Sequence, residues 1–289
     1  MMNQNDACQR FKSWLEFRGL ASVTITQYIY WFTKFSESLP PDTDFLLLDK
    51  QLAIDYVFNF KANTKLSPST INVISSALCD YYDVILGRPI SKRCLPNSKD
   101  TQKEINVFTD SEISLLLQNS DIRLKAWIFL GFDCGFRVSE VANFKVKDID
   151  SDNMLLHITN SKRGKSRYVK LSPRCLEVLR RYYVTYKDEI TDYMFPHKTK
   201  GHIPPQYIST AFHKLLLKLS IRPDDKLRFH NLRDTFATNL WKAGCDIFLI
   251  KKVLGHSSIK STARYISCNT NDISDMISPS DIMNGKKHE

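Results

Sequence analysis

The sequence contains no apolar run approaching the roughly 20 residues that a helix needs to cross a bilayer, which argues against a membrane protein. Its opening, Met1-Met-Asn-Gln-Asn-Asp6, has neither the basic stretch nor the apolar core of a secretory signal. The expected location is therefore the cytoplasm. There is no Cys-x-x-Cys pair. The seven cysteines (Cys8, Cys79, Cys94, Cys134, Cys175, Cys245 and Cys268) are scattered singly, and none stands at metal-ligand spacing from a histidine. An odd, dispersed set reads as reduced thiols, not as a disulfide framework. Internal repeats and low-complexity tracts are also missing, which leaves ordinary globular domains.

What is present fits that reading. Hydrophobic residues make up 43% and charged residues 25%, a balance usual for proteins with packed cores. A length of 289 residues suits one or two domains. The net charge is +10, and it is unevenly placed: residues 1–105 are close to neutral, and almost the whole excess follows them. A basic excess favours polyanionic partners, because each phosphate contact releases condensed counterions.

Apolar periodicity predicts helices through residues 5–88. Phe11, Trp14, Leu15 and Phe17 form a first stripe ending near Gly19, and Tyr28, Trp31, Phe32 and Phe35 a second. Residues 51–60 and 67–86 supply two more helices, the last with Ile71, Ile74, Leu78 and Tyr82 on one face. This is a small helical bundle. Residues 89–105, polar and proline-bearing, read as an interdomain linker. Thr109-Asp-Ser-Glu112 is a capping-box sequence that opens a second domain over 106–289. Within it, 154–158 and 166–171 alternate like two strands around the basic turn Asn160–Lys165. Helices are expected near 173–187, 205–219, 231–243 and 246–254, with Gly244 and Gly255 at C-terminal caps.

Five short patches carry chemistry-bearing residues. Arg137 and Glu140, within Gly135-Phe-Arg-Val-Ser-Glu140, share a helix face. The hairpin turn holds Lys162, Arg163 and Lys165, with Arg167 just beyond. His230-Asn-Leu-Arg233 sits at the start of a helix, where free N–H groups favour anions. Leu254-Gly-His256 ends another helix, and Tyr265 follows nine residues later. Each patch alone has an ordinary reading: a surface ion pair, a solvated turn, a capping or loop histidine, a half-buried tyrosine.

Together, their order and spacing resemble the tyrosine recombinase (lambda-integrase-like) family, and within it the compact two-domain Xer-like and integron- or transposon-type integrases. The similarity spans residues 105–270 and, more loosely, the helical N-terminal region. It implies a mainly α protein: an N-terminal helical bundle that binds core DNA, a C-terminal mixed α/β catalytic domain with a small β-hairpin, and a C-shaped clamp around the duplex. It also implies roles. Arg137 and Arg233 match the two catalytic arginines, His230 and His256 the two active-site histidines, Tyr265 the nucleophile and Glu140 a supporting acid. Lys162 matches the hairpin lysine, five residues before Arg167. Arg163, Lys165 and Arg167 are further candidates for DNA contact. Two positions depart from the pattern: Asp234 stands where many members have histidine after the second arginine, and Arg163 replaces a frequent hairpin glycine.

The implied reaction is strand cleavage through a 3′-phosphotyrosyl link and rejoining to another 5′ hydroxyl, without ATP, metal or other cofactor. The absence of a carboxylate cluster in the sequence agrees with that expectation. The implied partners are double-stranded DNA and further copies of the chain, assembled on DNA as a tetramer through the tail after Tyr265, where 272–277 reads as a short amphipathic helix. A nucleoid association would follow. Two alternatives share these residues or this fold: a type IB topoisomerase-like enzyme, and a catalytically idle DNA-binding regulator.

Overall fold

The computed structural model describes residues 1–98, 105–159, 166–197, 199 and 201–265. The chain divides into two compact units, Met1–Lys103 and Glu104–Glu289. Among the described residues no helix is long and apolar enough to cross a membrane.

The first unit is built from four helices: α1 (Gln4–Phe17), α2 (Ser22–Ser36), α3 (Lys50–Asn63) and α4 (Pro68–Asp80), the last running into a π-helical turn over Tyr81–Ile85. Local chemistry sets the helix starts. Asn3 accepts from Asp6 N–H at 2.9 Å, Asp49 from Gln51 N–H at 2.7 Å, and Ser67 from Thr70 N–H at 3.2 Å with Pro68 in the first turn. Phe11 and Leu15, one turn apart, are buried with Phe32, Phe35, Ile74 and Leu78. Phe17 falls outside that face and is exposed, contrary to the expected stripe, because six residues turn a helix well past its starting side.

Tyr81 and Tyr82 are buried, and their hydroxyls donate to the carbonyls of Phe45 (3.1 Å) and Asp49 (2.8 Å). Those bonds let two phenols enter an apolar core without an unsatisfied polar atom. Truncating a core ring such as Phe32 would cost about 3–5 kcal/mol. Part of the expected linker packs with this unit. Ile90 and Leu95 join its core, and Asn72 exchanges two hydrogen bonds with the Ser98 backbone, at 3.0 and 2.7 Å.

The second unit opens on α5 (Asp110–Gln118), whose capping box is formed: Thr109 Oγ1 accepts from Glu112 N–H and Glu112 accepts from Thr109 N–H. Then come α6 (Ile122–Phe132), α7 (Val138–Ala142) and an antiparallel sheet of β1 (Ile149–Asp150), β2 (Leu155–Ile158) and β3 (Arg167–Lys170) in the order β1-β2-β3. His157 pairs with Tyr168, and Ile158 with Arg167. After α8 (Pro173–Tyr186), the small pair β4 (Pro196–His197) and β5 (Gly201–His202) leads to α9 (Pro205–Lys218), α10 (His230–Lys242), α11 (Ile247–Leu254) and the short α12 (Lys260–Ala263). The core gathers around Trp127, Ile128 and Leu130 of α6 with Leu156, Val169, Leu179 and Phe212. α10 packs on α6, and α11 on both α10 and β3, so the ends of these elements converge.

Candidate active site

Arg137 is the N-cap of α7 and keeps an extended backbone (ψ 152°). Its N–H donates to Glu140 Oε2 at 2.8 Å and its guanidinium to Glu140 Oε1 at 2.9 Å. A first turn of helix thus holds the carboxylate that orients the arginine. The same carboxylate, 9% exposed, is gripped from the opposite side by Arg167, whose two terminal nitrogens donate at 2.8 and 2.7 Å. Arg167 Nε donates to the Val253 carbonyl at 2.6 Å, tying β3 to the end of α11. Arg233 NH1 lies 3.7 Å from Glu140. Burial alone would raise the Glu140 carboxyl, but the hydrogen bonds and charge of Arg167, the Arg137 N–H and the charge of Arg233 outweigh it and hold it at about 2.

Arg167, expected as a candidate DNA contact, is buried in this structure in a bidentate pair with Glu140, so its donors face the protein. The pleat is the reason. Arg167 and Val169 point inward while Tyr168 and Lys170 point out, and the apolar alternation Val169, Leu171 was the sequence signal for that direction.

Arg233, on the first turn of α10, is 0% exposed. It donates to the carbonyls of Gly135 and Leu254, each at 2.6 Å, and its Nε is buried without a partner among the described residues. Burial and the nearby Arg137 push its guanidinium down to about 9, still protonated at neutral pH. Two glycines permit the packing around it. Gly135 has φ +66°, and a Cβ there would meet the Phe236 ring at 2.5 Å. Gly255, also at φ +66°, caps α11, and its Cβ would come within 3.1 Å of the Arg167 stem.

His256 follows that cap and pairs through Nδ1 with Thr262 Oγ1 at 2.9 Å. Burial, then the charges of Arg233 and Arg137, lower it to about 4, so the ring is neutral at physiological pH. Its ring stacks over Tyr265, with centroids 6.4 Å apart and planes 17° from parallel. Tyr265 is 5% exposed, and its hydroxyl donates to Asp234 Oδ1 at 2.8 Å. Burial, then the charge and hydrogen bond of Asp234, hold the phenol above its ordinary range. His230 is exposed at the start of α10, with Nε2 3.7 Å from the same Asp234 oxygen. Protein atoms packed beside the ring partly desolvate it and lower it, against the opposing pull of Asp234.

The fold thus joins Arg137, Glu140, His230, Arg233, His256 and Tyr265, drawn from four places in the chain, in one cluster. Lys162, Arg163 and Lys165 lie outside the described residues, as does the segment after Tyr265. Sequence reasoning did not foresee the Asp234 contact, which depends on how α12 returns to α10. Nor did it foresee that Cys134 and Cys175 meet, with sulfurs 3.8 Å apart in the core. With Asp133 they bring three ligand-type atoms within 4.8 Å of one another. Both thiols are buried among apolar side chains, and the contact with Cys175 and burial raise the Cys134 thiol, which reads as core packing.

An α-rich unit carrying a small antiparallel sheet, with two arginines, two histidines and a tyrosine converging, has the chemistry to neutralise an anion and to offer a side-chain nucleophile to it. The signature of the Phage integrase family matches residues 100–272. The integrase/recombinase-type protein y4eF of Sinorhizobium fredii is 31% identical over 227 residues, which are 76% of this chain and 87% of that protein. The tyrosine recombinase XerA of Pyrococcus horikoshii is 26% identical, over 94% of this chain and 93% of its own. In fold, the chain is similar to the Tn1549 transposon integrase solved with transposon right end DNA: TM-score 0.72, 18% identity, covering 93% of this chain and 97% of that one. The chain belongs to the phage integrase family, as a tyrosine-type site-specific recombinase.

Proposed function

We propose that this protein binds duplex DNA and exchanges strands through Tyr265. The observation that carries the reading is the convergence of Arg137, Arg233, His256 and Tyr265, with Glu140 bracing both arginines. A phosphodiester is an anion, and a phenol with a pKa near 10 is a poor nucleophile at neutral pH, so charge must be neutralised and a proton removed. Arg137 and Arg233 hold the non-bridging oxygens and follow the charge that develops on the pentacoordinate phosphorus. Neutral His256 donates a hydrogen bond to the same phosphate, and His230 helps take up the phenol proton. Lys162 protonates the departing 5′ oxygen. The Tyr265 oxygen then carries the 3′ phosphate, and attack by a second strand's 5′ hydroxyl reverses every step, so no external energy source is needed. Assembly of several copies on DNA through the segment after Tyr265, and residence on the nucleoid, belong to the same reading.

The test is covalent capture. A nicked duplex, recovered from a random-sequence pool by its attachment to the unaltered protein, is offered to Tyr265→Phe. The variant should bind the duplex and form no SDS-resistant adduct. Persistence of the adduct would place the nucleophile elsewhere.

A further inference from the structure

The Tyr265 hydroxyl and the Arg233 guanidinium are both needed at the phosphate, yet in this structure both are committed to the protein. Arg233 has no accessible surface, and two of its nitrogens are spent on the carbonyls of Gly135 and Leu254. Its third nitrogen, Nε, is sealed without a partner among the described residues. A phosphate oxygen cannot come within hydrogen-bond distance of a group with no exposed atom. The arrangement seen is therefore a different state from the one that attacks.

Asp234 holds that state together. Its carboxylate, 3% exposed, sits on α10 directly after Arg233 and accepts the Tyr265 hydroxyl at 2.8 Å. Around the pair stand His230, 3.7 Å from Asp234, His256 stacked on the phenol ring, and Arg264, whose guanidinium is 5.8 Å from the ring centre. A carboxylate that accepts a hydrogen bond from a phenol stabilises the neutral phenol, and a nucleophile needs the opposite. Withdrawing the hydroxyl into a buried bond also takes it away from any line of attack.

We propose that Asp234 is a latch on the nucleophile: it keeps the Tyr265 hydroxyl turned into the protein, and the chain cleaves only after that bond is released and Arg233 is uncovered. No covalent step is added, since the latch acts before the phenol meets phosphorus. The proposal rests on Tyr265 being the nucleophile. It predicts that Asp234 restrains the rate, whereas a group that accepted the proton during attack would be required for it.

The experiment uses the full chain and the nicked duplex recovered by covalent capture. Asp234→Asn keeps the volume and weakens the bond, and Asp234→Ala removes the acceptor. In single turnover, adduct formation should be about tenfold faster in the alanine variant, as expected from losing a hydrogen bond to a charged group, with asparagine between it and the parent. Without DNA, acetylation of Tyr265 by N-acetylimidazole, followed by peptide mass spectrometry, should accelerate in the same order. Thermal unfolding checks that both variants remain folded. Unchanged or slower adduct formation by folded variants would overturn the latch, and a slower rate would make Asp234 the proton acceptor. If Tyr265→Phe still formed the adduct, the nucleophile assignment would fail first.

Discussion

Arg167→Met would test whether the candidate site is held from inside the fold. The change removes the guanidinium that grips Glu140 and keeps a long apolar side chain in its place. Glu140 would retain its two Arg137 contacts but lose two charge-assisted hydrogen bonds of 2.8 and 2.7 Å. Breaking a buried ion pair from one side costs about 3–5 kcal/mol, and the surviving Arg137 contacts put this case near the lower end. A carboxyl held at about 2, against about 4.3 for an ordinary glutamate, sets the pH-dependent contribution of the whole cluster at about 3 kcal/mol, with Arg167 the largest favourable contributor.

The sign follows from the depressed pKa. The contribution is fully present above about pH 4.3, where the unfolded carboxyl is also ionised, and is lost as pH falls through about 2. At about 2–4 °C per kcal/mol for a domain of this size, Arg167→Met should lower Tm by about 6–12 °C at neutral pH. Circular dichroism melts at pH 7 and at steps down to 3 measure both effects, and the variant's acid dependence should flatten. Arg167→Lys keeps the charge without the planar fork and should fall between. A Tm within about 2 °C of the parent, with the acid dependence unchanged, would refute the reasoning.

Further outcomes are expected at the reacting residues. Arg137→Lys and Arg233→Lys should each slow single-turnover cleavage by about 10²–10³, the usual effect of losing one transition-state donor, and near-normal rates would make that arginine purely structural. Lys162→Ala should be slow on ordinary DNA and recover on a 5′-bridging phosphorothiolate, whose sulfur leaves without a proton; Arg137→Ala should not recover, and rescue of Lys165→Ala instead would move the acid along the turn. His256 is held at about 4, below its unfolded value near 6.5, so the folded state resists protonation. Stability should drop as pH falls from about 6.5 toward 4, and His256→Asn should remove that part of the drop in denaturant titrations.

Much of the architecture is written in short stretches of sequence. The capping box at Thr109–Glu112, the Pro68 start of α4, the Gly255 cap and the alternation through β2 and β3 depend on hydrogen bonds and periodicity within a few residues. The set Arg137, His230, Arg233, His256, Tyr265 was likewise legible, but only through its resemblance in order and spacing to the tyrosine recombinase family; local spacing alone says which neighbours share a helix face. What only the tertiary structure decided spans long stretches of chain. Examples are Arg167 turned onto Glu140 and Val253, Arg233 sealed against Gly135 and Leu254, Cys134 against Cys175, and Tyr265 bonded to Asp234. Ile90 and Leu95 show the same limit: their segment looked like a linker, yet both are buried in the first unit's core. The physical reason is common to all of them. A buried charge or a short apolar residue has no preference of its own for a distant partner. Its place is set by which surfaces the packed helices and sheet bring together, and by the cost of leaving any polar atom there unpaired.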